Sequence, residues 1–420
     1  MIPLSRLDRH DENMSNIFHP TDAPDISALK TAVIYGKNAS GKSNLILAIK
    51  ALNFLVGSSD KYEELQSIPP YEPYLFNSDS MDMPCEMEVD FVGMNGFRYN
   101  YSICYSKTEI LKEKLSFYPK KQPALLFDRE HTVGIEGPKI EFGPQFKGDR
   151  RFIKEKNITN KLLLSEFKGS EYIHSKDAYS FFKNIIVTTT SSSRGSADAY
   201  DVSNLRNITK MLGKLKSDNP PQYTELIGSI VGILKAADTG IEGLEVNEVE
   251  NLSATDEFDK ETFQVLTHHS FFENGQKSGI KKASIFKEST GTIKLFALLH
   301  SLFLGLSRAS VIALDELDRS LHPKLTRLII ELIYKAGTKS YKSSKPNSCP
   351  QLIFTTHDSS LLDRDLFRRD QIWFTDTDNY MSTILYCLAE IKGVRKDTPY
   401  SDWYLSGRFG ATPATSEFTL

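Results

Sequence analysis

Gly36-Lys37-Asn38-Ala39-Ser40-Gly41-Lys42-Ser43 is the stretch that decides how this 420-residue chain is read. It fills every position of the pattern G-x-x-x-x-G-K-[ST]. The glycines let the backbone curl so that successive N–H groups aim at phosphate oxygens. A helix opening behind the loop adds the positive end of its dipole. The flanks supply that context. Residues 31–36, TAVIYG, form a short apolar run, which predicts a buried strand. Residues 43–55, SNLILAIKALNFL, carry apolar side chains at helical spacing. In such a unit Lys42 reaches the β- and γ-phosphates of a nucleotide and Ser43 ligates Mg²⁺.

Far downstream, Val311-Ile-Ala-Leu-Asp315-Glu316 runs an apolar strand into two acids. Carboxylates at a buried strand end are costly without a cation or partner. Asp315 is suited to hold Mg²⁺, and Glu316 to polarise an attacking water as general base. After the next predicted strand, 351–354, comes Thr355-Thr356-His357-Asp358, where His357 is placed to meet a γ-phosphate. Taken singly, these features also read as a glycine-rich turn, a solvated acidic turn and a packed histidine. Glu288-Ser289-Thr290-Gly291-Thr292, upstream of Asp315, likewise reads as a plain helix cap. Their joint order is what carries weight.

The rest of the chain frames these motifs. Its length fits two or three lobes. With 40% hydrophobic and 25% charged residues, it has an ordinary globular composition. The net charge of −3 gives no global basic field to draw it onto nucleic acid or anionic lipid. The four cysteines, Cys85, Cys104, Cys349 and Cys387, form no CxxC pair and read as reduced thiols. The N-terminus carries no signal-like apolar core. The apolar run 295–306, with His300 and Ser301 inside it, reads as a buried helix, so the expected location is cytoplasmic, with no membrane contact. Residues 56–83 are a loop-rich connection broken by Pro69, Pro70 and Pro73. Residues 85–106 alternate like a hairpin turning at Asn95-Gly96, with further strands near 109–118 and 124–127. Stretches 150–185 and 202–237 are helix-like around a polar loop at 188–196, with strands near 243–250 and 263–272. A helix over 291–306, a strand over 310–314, a helix over 323–336 and strands at 351–355 and 371–375 follow, with a polar loop at 337–350.

The motif order resembles the ABC-type ATPase head shared by ABC transporters, SMC proteins and related repair ATPases. In that family the sequence 288–292 looks like the signature motif, with Ser289 and Gly291 reaching the partner subunit's γ-phosphate. Asp318 matches the D-loop acid at the dimer seam, and His357 the switch histidine. The resemblance narrows on Gly36-x-Asn38-x-x-Gly-Lys-Ser-Asn44, Asp-Glu-Leu-Asp-x-Ser-Leu-His-Pro (315–323), Arg368-Arg-Asp-Gln-Ile, Arg395-Lys-Asp and Gly407-Arg-Phe-Gly-Ala-Thr-Pro413. Together these look like stand-alone AAA/ABC-type ATP-binding proteins of bacterial abortive-infection and anti-phage operons. The likeness covers about 30–110 and 235–413. Thr290 departs from an acid or second glycine, and neither Gln66 nor Asn77 stands well for a Q-loop residue.

The resemblance implies an α/β fold: an ABC-type P-loop NTPase head with a mixed sheet core, an antiparallel β subdomain and a mainly helical insertion. The expected parts are 1–145 (first half of the head), 146–280 (insertion), 281–395 (second half) and 396–420 (C-terminal tail). The implied activity is ATP hydrolysis with ATP and Mg²⁺ as cofactors. Its implied use is a dimeric or higher-order head-to-head switch in antiviral defence that controls a separate effector, a nuclease or Toprim-like protein. The alternative is an SMC-like repair ATPase that acts on nucleic acid directly. Other candidates are weaker. Arg150, Arg151, Lys154 and Lys156 read as a solvated face, His268-His269 lacks metal-ligand spacing, and Asn160-Lys161 lacks the acid of a guanine reader.

Overall fold

The computed structural model describes residues 13–19, 26–131, 137–148, 150, 159–189, 198–250, 261–308, 310–336, 349–395 and 397–413. Two-residue strands β1 (Ile17–Phe18) and β2 (Ala28–Leu29) pair ahead of β3 (Thr31–Gly36), which is buried throughout, as its apolar run predicts. The phosphate-loop motif follows and opens α1 (Lys42–Ser58). Strands β4 (Cys85–Val92), β5 (Arg98–Tyr105), β6 (Ile110–Tyr118), β7 (Ala124–Glu130) and β8 (Lys139–Phe142) form one antiparallel sheet in sequence order. Its first hairpin turns at Asn95-Gly96. There Gly96 takes φ 81° and the Asn95 side chain accepts the Phe97 N–H at 3.1 Å.

Helices α2 (Leu163–Glu166) and α3 (Ile173–Lys183) lead into β9 (Ile186–Thr188). Then come α4 (Asp198–Asp218) and α5 (Pro220–Ala236). Asn219 separates them and caps the second by accepting the Gln222 N–H, with proline at the first turn. Strands β10 (Gly243–Glu250), β11 (Glu261–Glu273) and β12 (Gln276–Ser284) make a three-stranded antiparallel sheet. The chain closes with α6 (Thr290–Arg308), β13 (Val311–Leu314), α7 (Pro323–Lys335), β14 (Gln351–Thr355), β15 (Ile372–Thr377), β16 (Thr383–Cys387) and α8 (Tyr400–Leu405).

The main sheet has the order β16-β15-β3-β14-β13-β9. All its pairings are parallel except β15 with β16. The acidic strand β13 therefore lies one strand away from β3, with β14 between them. This puts the ends Gly36, Leu314 and Thr355 on one edge of the sheet, where α/β folds bind ligands. The main sheet, α4–α7 and the C-terminal residues Tyr404, Phe409 and Ala411 share one apolar core. The five-stranded sheet, the inner face of α1, α2 and α3 share a second. Helix α6 is long and apolar enough to cross a membrane by length and composition. Here Leu295, Phe296, Leu299 and Leu302 lie in the first core, and a Cβ on Gly305 would sit 2.2 Å from the Ile312 side chain.

Three expectations change. Residues 146–280 do not stand apart from the head, because β9 is the edge strand of the main sheet and α3 fills the core under the five-stranded one. Within 150–185 the described helices are α2 and α3; most of the stretch before 163 lies outside the described residues. Within the 396–420 tail, the described residues 397–413 send Tyr400, Tyr404, Phe409 and Ala411 into the first core. The polar loops foreseen at 188–196 and 337–350, along with Arg151, Lys154, Lys156 and Lys396, fall largely outside the described residues. The four cysteines are free thiols.

Candidate functional site

The site is built where the sheet's strand ends meet the 36–43 loop. Glycine is required at both ends of that loop. A Cβ on Gly36 would lie 2.2 Å from Thr375 Oγ1, and Gly41, at φ 91°, would drive one to 2.0 Å from Thr383 Oγ1. Ala39, at φ 60°, also takes the left-handed form. Buried Ser40 locks the loop to β15, with its hydroxyl 2.6 Å from Thr375 Oγ1 and bonded to the Lys37 carbonyl. Asn38, Ala39 and Asn44 are exposed at the mouth. Lys37 Nζ pairs with Asp376 at 2.8 Å.

Lys42 is buried and folds back over the loop, donating to the Gly36 and Lys37 carbonyls at 2.8 and 2.9 Å. Burial pulls its ammonium below the ordinary value, while the charges of Asp315, Glu316 and Asp318 pull it back. Ser43 Oγ donates to Asp315 Oδ1 at 3.1 Å across 272 residues of sequence. Thr355, fully buried at the end of β14, donates to that same oxygen at 2.7 Å and accepts the Glu316 N–H at 2.7 Å. One hydroxyl thus fixes both acids.

The turn after β13 is strained. Glu316 and Ser320 have φ 50° and 63°. Its bonds run Leu317 N to Thr355 O, Arg319 N to Glu316 O and Leu321 N to Asp318 O. The Glu316 carboxylate lies 3.4 Å from Arg319 Nη1. Asp318 Oδ2 accepts the His357 N–H at 3.4 Å, while Asp318 Oδ1 is buried with no hydrogen-bond partner among the described residues. The His357 ring is exposed. Ser289 caps α6 by accepting the Thr292 N–H at 3.2 Å. The start of that helix abuts the same turn. A Cβ on Gly291 would sit 2.8 Å from Ser320 O, and Lys294 donates to Glu316 O at 3.4 Å and also to Arg319 O.

The predicted loop, Asp315, Glu316, Asp318 and His357 are therefore brought together. Ser289 and Gly291 lie on the α6 side of the 316–320 turn. The donor set fits a nucleotide with Mg²⁺. Loop amides and Lys42 suit phosphate oxygens, and the Ser43 hydroxyl and the Asp315 carboxylate are hard oxygen donors already turned toward each other. Among the described residues no cluster of three His, Cys, Asp or Glu side chains forms a separate metal site.

Several participants were not assigned from sequence. In sequence Thr355 is only the lead into His357, and its role depends on β14 lying between β3 and β13. Thr375 and Asp376 come from a strand paired beside β3, and Thr383 and Lys294 act through contacts distant in sequence. Other candidates turn out structural. Asn160 donates to the Glu63 and Gln66 carbonyls, His268 and His269 face Glu245 and Glu288, and Arg150 bonds the Gly143 and Phe146 carbonyls. Gln66 and Asn77 serve local turns.

A family model described as "AAA domain, putative AbiEii toxin, Type IV TA system" matches residues 32–363, from the P-loop strand past His357. No curated protein matches the chain.

Proposed function

This chain belongs to that AAA domain family, and from this premise we propose that it is an ABC-type, SMC-like ATPase head that binds and hydrolyses ATP as a dimeric switch. The observation that carries the reading is the convergence of Ser43 and Asp315, with Thr355 holding Asp315 and the Glu316 backbone in place. The loop and Lys42 grip the phosphates. Ser43 and Asp315 would hold Mg²⁺, which when bound would neutralise charge on the phosphate oxygens. Glu316 takes a proton from the attacking water, and His357 contacts the terminal phosphate. A second copy completes each site by presenting Ser289 and Gly291 across the seam, with Asp318 beside it. ATP favours the closed pair because only the terminal phosphate bridges both copies. The switch serves abortive infection, operating in the cytoplasm on a separately encoded effector of nuclease or Toprim type.

The test uses purified full-length protein with ATP and Mg²⁺. Lys42→Ala should abolish nucleotide binding. Glu316→Gln should lower turnover by roughly 10²–10⁴-fold and accumulate an ATP-bound dimer, read by light scattering. Hydrolysis by Glu316→Gln at the unsubstituted rate would overturn the assignment of the base.

A further inference from the structure

The stretch Gly407-Arg-Phe-Gly-Ala-Thr-Pro413 lies beyond the matched family region, 32–363, yet is seated against the phosphate loop. Its backbone turns on Gly407 and Gly410, at φ 76° and 72°, which glycine adopts freely, while Ala411 is held at φ 59°, a form that a residue with a Cβ keeps only where the surroundings enforce it. The enforcing contacts are specific. Phe409 is buried with its ring 5.6 Å from Phe374, and its carbonyl accepts the Tyr386 hydroxyl at 2.7 Å. Tyr404 OH reaches Ala411 O, and the Tyr404 ring lies 5.5 Å from Tyr35 on β3. Asp376 joins the two parts directly: one oxygen takes the Ala411 N–H at 3.1 Å and the other holds Lys37 of the loop at 2.8 Å.

Between them lies a cavity of about 660 Å³, with Gly36, Lys37, Asn38 and His357 on one wall and Ser406 and Thr412 on the other. Thr383 packs against Gly41 at the far end of the loop, and the cavity is lined by the Gly36–Asn38 end together with His357. Its lining offers hydroxyls, an amide, an imidazole, a lysine and loop backbone, and no carboxylate is among the lining residues. That chemistry suits a phosphate and does not suit a cation.

We propose that the C-terminal segment 404–413 is the wall that reads the terminal phosphate of a nucleoside triphosphate, with Thr412 and Ser406 distinguishing triphosphate from diphosphate. This rests on the reading of 36–43 as a phosphate loop. The Asp376 bridge then couples the nucleotide's phosphate count to a segment packed into the main core.

Hydrogen exchange of the full-length protein with Mg²⁺ and either ADP or a non-hydrolysable ATP analogue tests it. Both nucleotides should slow exchange in 37–43, and only the triphosphate analogue should slow 404–413. Thr412→Val with Ser406→Ala should weaken the analogue about a hundredfold, about tenfold for each lost hydrogen bond to a charged group, and leave ADP affinity unchanged. Protection of 37–43 alone, or equal protection of 404–413 by both nucleotides, overturns this proposal and spares the phosphate loop. Protection of 404–413 that follows protein concentration and ignores the nucleotide assigns the wall to a contact between copies, and also overturns it. If neither nucleotide slows 37–43, the loop reading falls and this proposal falls with it.

Discussion

Thr355→Val removes a single oxygen from the centre of the site and keeps the β-branched shape that suits the end of β14. The hydroxyl is fully buried and makes two bonds of 2.7 Å, one to the Asp315 carboxylate and one from the Glu316 N–H. Valine supplies neither. The carboxylate loses a charge-assisted bond, and a backbone donor beside it loses its acceptor. Each loss is of order 1–3 kcal/mol, so the pair should cost about 2–6 kcal/mol. Urea unfolding of the unsubstituted and Val proteins measures that difference. Because the same bond sets the backbone at Glu316, turnover should fall more than nucleotide affinity, which depends on the loop. Thr355→Ser keeps the oxygen and loses only a methyl, so it should restore most of the turnover. A Val protein within about 0.5 kcal/mol of the original, with unchanged turnover, would show that Thr355 is a bystander.

Gly291→Ala places a methyl 2.8 Å from the Ser320 carbonyl, a backbone atom that cannot swing aside, so the 316–320 turn must shift. Nucleotide titration should stay normal while steady-state hydrolysis drops, and loss of binding instead would point to a wider collapse. Asp376→Asn tests the bridge by pH. Burial pushes this carboxyl up, but the Lys37 contact and the Thr377 and Ala411 amides outweigh it and hold it below its ordinary 3.8. A depressed folded value means the stabilisation is present above pH 3.8 and lost as pH falls through that lower value. The Asn protein should therefore show a flatter acid limb in thermal melts, and an identical limb would contradict the bridge.

Much of the site was legible because its signals are local. Gly36–Ser43 announces a loop by spacing alone, and the apolar runs into Gly36 and Asp315 announce two buried strand ends. What the sequence withheld depends on pairing. β9 has three residues, Ile-Val-Thr, and becomes a strand because β13 offers it an open edge. β16 is exposed over Thr383–Leu385 and buried only at Cys387, with no clean alternation, and its reason for existing is its register with β15. The tail's glycines are visible in sequence, but nothing local says that Phe409 enters the core or that Ala411 reaches Asp376. Residues 146–280 read as an insertion because their helices are strongly patterned, and that pattern hides one short strand of the central sheet.

The two neighbouring acids are unequal, and the inequality bears on how such a site would switch. Asp315 is buried, and both Ser43 and Thr355 aim at one of its oxygens, so its position is set by the fold. Moving it would break bonds in a water-poor environment, where each is expensive. Glu316 is fixed only through its backbone. Its carboxylate meets Arg319 at 3.4 Å in a pair whose side chains are 32% and 47% exposed. Such exposed pairs are worth about 0–1 kcal/mol, so the carboxylate can leave Arg319 at small cost. Its left-handed backbone and the Lys294 contact on its carbonyl link that freedom to the start of α6. In the proposed roles, a preset Asp315 and a cheaply redirected Glu316 would divide the labour of binding and turnover. Glu316 would then take its working direction from whatever settles the 316–320 turn, and in a head-to-head pair that would be the second copy meeting Asp318 and the α6 start.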